Sequence, residues 1–388
     1  MATTNAPGTM ERILRLMSEK KASDVYLSAM APAQIKINGQ CVPINAQLLP
    51  VDAPRNLLAE VLPAERIAEL DETGELNMGF PVPGVGRFRV SAMRQRGTVA
   101  AVIRYIAMDV PSLDELNMPM VLGDLIMEKR GLILMVGATG AGKSTTLASM
   151  LDYRNENASG HILTIEDPIE YLFKNKRSVV NQREIGTDTE SLQVALKNAL
   201  RQAPDVILIG EIRDRETMSA ALAYAQSGHL CLATMHANNS YQALNRILSF
   251  YPVEVRETML GDLAAALKAV VSQRLLRTAT GRRTPAVEIM LNTKLVAELI
   301  EKGDFSGVKE AIEQSMAEGS QGFEQDIARL IVSGVVDRKE GLANSDSPTN
   351  LMWRMQNDFA PKSQQAAVAV EEEDEASFTE ISLDVNHP

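Results

Sequence analysis

A glycine-rich segment carries the clearest chemical signal in this chain. Residues 137–145 read GATGAGKST and complete the pattern G-x-x-x-x-G-K-[ST]. The pattern follows the apolar run Gly131–Val136 and precedes a helical pattern that begins at Lys143, which is the strand-loop-helix setting of phosphate-binding loops. Glycines let backbone N–H groups converge on phosphate oxygens at the start of a helix. The segment therefore predicts an ATP site, and a glycine-rich turn without a ligand is the alternative that this setting disfavours.

Individual roles follow from the same pattern. Lys143 is placed to reach the β- and γ-phosphates of ATP, and the Ser144 hydroxyl is placed to ligate Mg²⁺. The predicted nucleotide-binding residues are Gly137, Ala138, Thr139, Gly140, Ala141, Gly142, Lys143, Ser144 and Thr145.

Two acidic segments follow apolar runs that are typical of buried strands. Residues 205–214 read DVILIGEIRD, and residues 166–170 read EDPIE. Carboxylates at the carboxyl ends of parallel strands face the ligand crevice of an α/β sheet, so Glu211 could orient an attacking water or support the metal. The alternatives are a strand that ends in solvated acids for the first segment and an exposed turn for the second.

Two histidines, His229 and His236, flank one strand-like segment seven positions apart. An odd separation on a strand directs side chains to opposite faces, so the two rings are not expected to share a metal ion. One core or surface histidine and one site histidine is the favoured interpretation.

Five arginines cluster on or between two further predicted strands, Gly79–Val90 and Thr98–Ile106. They are Arg87, Arg89, Arg94, Arg96 and Arg104. One interpretation is a solvated basic sheet face. The other is that some of them reach the γ-phosphate held by a neighbouring subunit, because phosphate-loop sites gain much of their rate from such charges.

The elements that position these residues divide the chain in two. Residues 1–108 predict a small α+β domain with helices over Met10–Lys20 and Pro54–Leu70, and a hairpin at Asn38-Gly39. Its other strands are predicted at Asp24–Leu27, Ala33–Ile37 and Val42–Ile44.

Residues 109–358 predict a second domain in which strands alternate with helices, as in a parallel sheet. Its strands are predicted at Gly131–Val136, His161–Ile165, Val206–Ile209 and His229–Met235. Its helices are predicted at Lys143–Leu151, Ser191–Gln202, Glu216–Ser227 and Tyr241–Phe250. Helical spacing continues over Met259–Val271, and a final helical region includes Leu295–Ile300, Val308–Met316 and Phe323–Val332.

Composition bounds the function classes. The chain has 388 residues, 45% of them hydrophobic, and a formal net charge of -11. This balance indicates a globular protein and argues against one that wraps a nucleic-acid backbone. Apolar runs are shorter than the roughly 18 residues of a membrane-spanning helix. We expect a cytoplasmic protein with isolated cysteines at 41 and 231, and a disordered acidic tail over residues 359–388.

These motifs, taken in order, resemble the secretion-ATPase superfamily, and within it the type IV pilus retraction ATPases of the PilT/PilU family, as far as about residue 340. The matching segments are GATGAGKSTT, HILTIEDPIEYLF, the stretch from NQREIG to DVILIGEIRD, and GHLCLATMHANNS. The resemblance implies an α/β fold in which a RecA-like P-loop ATPase domain is preceded by a PAS-like α+β domain. It also implies a homohexameric ring with nucleotide between protomers.

The resemblance assigns roles residue by residue. Glu170 and Glu211 would be the catalytic carboxylates, and Glu166 and Asp167 would shape the same pocket. His229 and His236 would sense the nucleotide state. Arg89, Arg96 and Arg104 would approach the nucleotide from the N-terminal domain, although the family's arginine stands one position away from Arg96.

One stretch departs from the principal retraction ATPases. Those proteins read AIRNLIRE where this chain reads LVAELIEK over residues 295–302, with Ala297 and Glu301 in place of arginines. This difference and the acidic tail are similar to the PilU-like branch, an accessory to the principal retraction ATPase. The implied partners are a paralogous retraction ATPase and the inner-membrane platform protein of the pilus, at whose cytoplasmic base the ring would dock without inserting into the membrane.

Three alternatives stay open at this stage. An assembly or type II secretion ATPase usually carries a four-cysteine zinc insertion, and this chain has two cysteines. A RecA-like motor on DNA would need a basic, aromatic-interleaved stripe. A non-catalytic scaffold that completes another ATPase ring is compatible with the altered stretch at 295–302.

Overall fold

The computed structural model describes residues 8–37, 39–106, 109–313 and 317–357. The predicted tail at 359–388, Asn38 of the predicted Asn38-Gly39 turn and the end of the predicted helix at Met316 lie outside the described residues. The domain boundaries at 108 and 358 stay a prediction.

The first sheet is six-stranded and antiparallel, in the order β3-β2-β1-β6-β5-β4. Its strands are β1 (Asp24–Ser28), β2 (Pro32–Ile37), β3 (Gln40–Leu48), β4 (Glu75–Val82), β5 (Gly86–Gln95) and β6 (Thr98–Ile106). Its helices are α1 (Thr9–Glu19), α2 (Ala53–Ala59) and α3 (Ala64–Thr73). Alternating apolar residues of β5, such as Phe88 and Val90, are fully buried in one core with α1 and α3.

The second sheet is seven-stranded, in the order β13-β12-β7-β11-β10-β8-β9, and all strands but β13 run parallel. Its strands are β7 (Gly131–Val136), β8 (Gly160–Glu166), β9 (Ser178–Glu184), β10 (Val206–Ile209), β11 (Leu230–Met235), β12 (Leu267–Arg277) and β13 (Arg283–Leu291). The helices are α4 (Val121–Ile126), α5 (Lys143–Asn157), α6 (Leu192–Ala199), α7 (Arg215–Gln226), α8 (Ser240–Ser249), α9 (Arg256–Ala266), α10 (Lys294–Glu301), α11 (Phe305–Glu313), α12 (Phe323–Val332), α13 (Arg338–Asn344) and α14 (Pro348–Asn357). Two apolar clusters cover the two faces of this sheet, which explains why its central strands are apolar without alternation.

The predicted α/β class is confirmed, but three predicted elements were wrong. The single strand over Gly79–Val90 is a hairpin of β4 and β5 that turns after Val82, where Pro83-Gly84 stops the ladder. The single helix over Pro54–Leu70 is broken before α3, whose N-cap is Pro63. The helical spacing over Met259–Val271 ends at Ala266, and β12 begins at the next residue.

A buried carboxylate joins the two sheets. Glu184, the last residue of β9, is 1% exposed. Its oxygens accept hydrogen bonds from the Gly79 backbone of β4 (3.1 Å), the Arg87 guanidinium of β5 (3.2 Å) and the Ile169 backbone (3.2 Å). A buried charge is tolerated when it is paired and hydrogen-bonded in this way. Glu184 thus ties the N-terminal sheet to the segment that carries the acidic residues 166–170.

We expect Glu184→Ala to lower the free energy of unfolding by about 3 kcal/mol, because it leaves the half-buried Arg87 and two backbone donors without their shared acceptor. Urea denaturation would measure it. Glu69→Ala is the matched control, since its ion pair with Arg66 is exposed and such pairs contribute below about 1 kcal/mol. Equal losses in the two variants would contradict the role given to Glu184.

Among the described residues, no helix combines the length and apolar character that a bilayer crossing requires.

Candidate nucleotide site

The glycine-rich loop connects the fully buried strand β7 to the start of α5. Gly142, the N-cap of α5, has φ +89°, a conformation that favours glycine. At Gly137 the loop passes so close to β12 that an added Cβ would lie 2.6 Å from the Gln273 carbonyl oxygen. The predicted strand-loop-helix setting is therefore present, and two of its glycines are required by conformation or by space.

Lys143 points back over this loop. Its Nζ donates hydrogen bonds to the carbonyl oxygens of Gly137 (2.8 Å) and Ala138 (3.0 Å). Burial lowers the pKa of Lys143, and the nearby Glu211 carboxylate opposes that shift. The backbone of the loop thus holds the Lys143 ammonium group. Phosphate oxygens of a bound nucleotide would compete with the two carbonyl oxygens for it.

The loop opens onto a cleft of about 990 Å³. Loop residues from Thr139 to Thr145 line it together with side chains from both halves of the chain. Those side chains include Arg104, Glu166, Asp167, Glu170, Glu211, Arg213 and His236. The cleft has the size of a small-ligand pocket and gathers most of the chemistry that the sequence predicted.

Glu211 lies two residues after β10, at the carboxyl edge of the sheet as predicted. Its Oε2 accepts a hydrogen bond from Arg213 Nε (2.6 Å), and its Oε1 lies 3.2 Å from His236 Nε2. The carboxylate is thus oriented by two residues beside the glycine-rich loop.

Glu166, at the end of β8, is held more deeply. Its Oε1 accepts hydrogen bonds from Thr164 Oγ1 (2.6 Å) and Gln182 Nε2 (3.3 Å). Burial raises the pKa of Glu166, and these hydrogen bonds oppose the shift in part. Glu166 is thus part of the buried cleft wall, whereas the Glu170 side chain is half-exposed.

Two of the predicted arginines approach the cleft from the N-terminal sheet. Arg89 and Arg104 are directly opposite each other on β5 and β6. Arg89 Nη1 lies 3.9 Å from Glu170 Oε1, and Arg104 Nε donates to Asp24 Oδ1 at 2.8 Å. The hydrogen bond to Asp24 raises the pKa of Arg104 and holds its guanidinium at the cleft wall.

Among the predicted site residues, Arg89, Gly137 and Ala138 contact residues of the cleft wall without lining it, whereas Arg96 and His229 lie away from the cleft within this chain. Arg96 is the first residue of the two-residue turn between β5 and β6, at the tip of the hairpin, and its φ is +48°. His229 directly precedes β11, so it lies at the amino edge of the sheet, whereas His236 follows β11 at the cleft. His229 Nδ1 is 3.1 Å from Ser227 Oγ instead. The expectation of one site histidine and one other histidine matches this placement; the catalytic roles themselves stay a prediction.

Several residues that line the cleft or support its walls were absent from the prediction. Tyr171 Oη is 2.8 Å from Thr145 Oγ1, and Gln182 bonds both Glu166 and the Tyr171 carbonyl oxygen. Gln273 of β12 holds the glycine-rich loop. Tyr171 and Gln182 lie inside the segments HILTIEDPIEYLF and NQREIG that carry the family resemblance, but no role was assigned to them there; Gln273 lies outside those segments, between Ser272 and Arg274.

The donor set fits magnesium bound through a nucleotide. Within the described ranges there is no group of three or more His, Cys, Asp or Glu side chains that could hold a metal ion. Mg²⁺ prefers oxygen ligands and keeps phosphate and water in its shell, and the exposed Ser144 hydroxyl has the chemistry of such a ligand.

Comparison with known proteins gives concordant results. Residues 9–336 match the family described as type II/IV secretion system protein. The type IV pilus ATPase PilU of Pseudomonas aeruginosa is 46% identical over 88% of this chain and 90% of its own length. The type IV pilus retraction ATPase PilT of the same organism is 36% identical over 87% of this chain and 98% of its own length.

A solved structure agrees with these sequences. The pilus retraction motor PilT with bound ADP superimposes with a TM-score of 0.83 and 37% identity, over 89% of this chain and 99% of that one. The Legionella pneumophila ATPase DotB superimposes with a TM-score of 0.74 and 26% identity, over 88% and 96%.

Proposed function

The chain belongs to the type II/IV secretion system protein family, and we propose that it is an ATP-hydrolysing motor that powers retraction of type IV pili as an accessory to a paralogous retraction ATPase. One observation carries the proposal. A relative named type IV pilus ATPase PilU matches 88% of the chain at 46% identity, ten percentage points above the PilT of the same organism. The family resemblance read from residues 295–302 points to the same branch.

The site supports hydrolysis through its own residues. Backbone N–H groups of the glycine-rich loop and Lys143 would hold the β- and γ-phosphates, and Ser144 would hold Mg²⁺, which neutralises charge on those phosphates when bound. Glu211 would orient a water molecule towards the γ-phosphate. His236, which lies 3.2 Å from Glu211, would sense whether the γ-phosphate is present. Glu170, which follows the neighbouring strand β8, would assist.

Part of the site would come from a neighbouring protomer. Arg89 and Arg104 stand on the N-terminal sheet, and in a homohexamer such a sheet would bring positive charge to an adjacent nucleotide. Rotation of this sheet against the ATPase sheet would then couple turnover to movement. The ring would sit in the cytoplasm at the inner-membrane base of the pilus, against the platform protein.

The test is pilus retraction in cells that carry the pilus machine and lack their own retraction ATPases. We expect no retraction with this chain alone, retraction with the paralogue alone, and stronger retraction force with both. Full-strength retraction by this chain alone would refute the accessory role. Loss of pilus assembly in cells without this chain would instead favour the assembly ATPase.

A further inference from the structure

We infer that Gln273 is a positioning residue of the nucleotide site, whose side chain fixes the glycine-rich loop from strand β12. The inference rests on the proposed nucleotide binding at that loop. It concerns a residue outside every motif that the family resemblance quoted.

Both ends of the Gln273 amide are used. Its Nε2 donates a hydrogen bond to the Ala141 carbonyl oxygen (2.8 Å), and its Oε1 accepts one from Thr146 Oγ1 (2.8 Å). A carbonyl oxygen can only accept, so the nitrogen must face Ala141 and the orientation of the amide is fixed. Gln273 is 2% exposed, which removes water as a competing partner.

The hydrogen bond from Gln273 to the Ala141 carbonyl oxygen sets the direction of a backbone N–H group that can donate to phosphate. The Ala141 carbonyl shares its peptide unit with the Gly142 N–H, and in a planar trans peptide the two groups point in opposite directions. Because Gln273 draws the carbonyl away from the cleft, the Gly142 N–H is directed towards it. Gly142 lines the cleft and is the N-cap of α5, where N–H groups can donate to a phosphate oxygen.

Space around the loop is filled by the same residue. A Cβ added at Gly142 would lie 2.7 Å from Gln273 Nε2, and one added at Gly137 would lie 2.6 Å from the Gln273 carbonyl oxygen. Gln273 therefore lies against the loop at two glycines, Gly137 and Gly142.

The anchor is rigid because β12 lies between two strands. Ser272 pairs with Val136 of β7, the residue just before the loop, and Gln273 pairs with Val287 of β13. A hydrogen-bonding group on a central strand holds its partner more accurately than one on a loop. The Gln273 amide thus preorganises the loop for phosphate without touching the ligand.

Gln273→Leu keeps the approximate shape and removes both hydrogen bonds. We expect its dissociation constant for a fluorescent ADP analogue to rise about tenfold, and the KM for ATP to rise with it, since an unoriented loop must order on binding. Thr146→Val removes one partner at constant shape and should weaken ADP binding in the same direction. The double variant should bind no more weakly than Gln273→Leu, because both changes break one linkage.

Gln321→Leu is the matched control, since Gln321 Nε2 also donates to a backbone carbonyl, that of Val287 (3.0 Å), away from the cleft. A purely structural Gln273 would lower the unfolding free energy and leave ADP affinity of the folded protein unchanged, which would overturn the inference. If Gln273→Leu does not fold, unchanged ADP affinity in Thr146→Val overturns it equally. A wild-type protein that binds no ADP would sink the proposed function instead.

Discussion

Replacement of Lys143 by alanine is expected to lower kcat for ATP hydrolysis by at least about a hundredfold, the cost of removing one preorganised charge from a transition state. The lysine is mostly buried, and its ammonium group is held by the Gly137 and Ala138 carbonyl oxygens of the loop. In the presence of ATP it would exchange these neutral acceptors for charged phosphate oxygens. Its contribution to binding and catalysis is therefore much larger than its contribution to the folded, nucleotide-free protein.

A phosphate-release assay on the purified ring would measure this effect, with thermal unfolding as a check on folding. Burial lowers the pKa of Lys143, so removing the buried charge offsets part of the loss of its two hydrogen bonds, and we expect a small change in stability. Lys302→Ala is the control, because Lys302 is exposed and does not line the cleft. Hydrolysis by Lys143→Ala at more than about a tenth of the wild-type rate would contradict the role of the loop.

The part of the site that lies at the carboxyl ends of the parallel strands was predictable, because its residues belong to motifs with a characteristic local spacing. β7 and β10 have the predicted bounds, and the residues after them, Lys143 and Glu211, meet at one edge of the sheet. Parallel strands place their carboxyl ends together, so a motif after each strand becomes a site without further information.

The contacts from outside those motifs were not predictable in the same way. β12 is largely buried, and its first residues, LKAVV, continue the apolar spacing of α9, so periodicity alone does not distinguish the strand from a longer helix. Because β12 was not predicted as a strand, the contact of Gln273 with the glycine-rich loop was not predicted either. Glu184 belongs to the quoted segment NQREIG, but its contact was missed because its partners at Gly79 and Arg87 are about a hundred residues earlier in the chain. Long-range hydrogen bonds of this kind have no signature in local sequence.

Arg96 shows the limit of assigning roles by position. The registered pairing of Gln95 with Thr98 leaves Arg96 and Gly97 as a two-residue hairpin turn, and both have positive φ. Such turns favour Asn or Gly at their first position, so an arginine there is costly. The Arg96 side chain therefore lies at a hairpin tip and not on a strand face.

Glu211→Gln is expected to lower kcat by roughly a hundredfold to ten-thousandfold while leaving the dissociation constant for ADP unchanged, the range for loss of a group that takes a proton. The glutamine has the same shape and can still accept from Arg213, whose Nε is 2.6 Å from the carboxylate. It cannot attract a proton from water at the γ-phosphate. The separation of kcat from binding distinguishes this role from that of Lys143, which should affect both.

Glu170→Gln decides between the two carboxylates. Glu170 is 45% exposed and meets Arg89 only at 3.9 Å, whereas Glu211 is 18% exposed and oriented by two residues, so we expect the smaller loss at Glu170. Glu216→Gln, an exposed glutamate in the first turn of α7, is the control for loss of a negative charge. A larger fall in kcat for Glu170→Gln than for Glu211→Gln would transfer the water-orienting role to Glu170. Because Glu170 lies beside the N-terminal sheet, that result would also make hydrolysis depend directly on the position of that sheet.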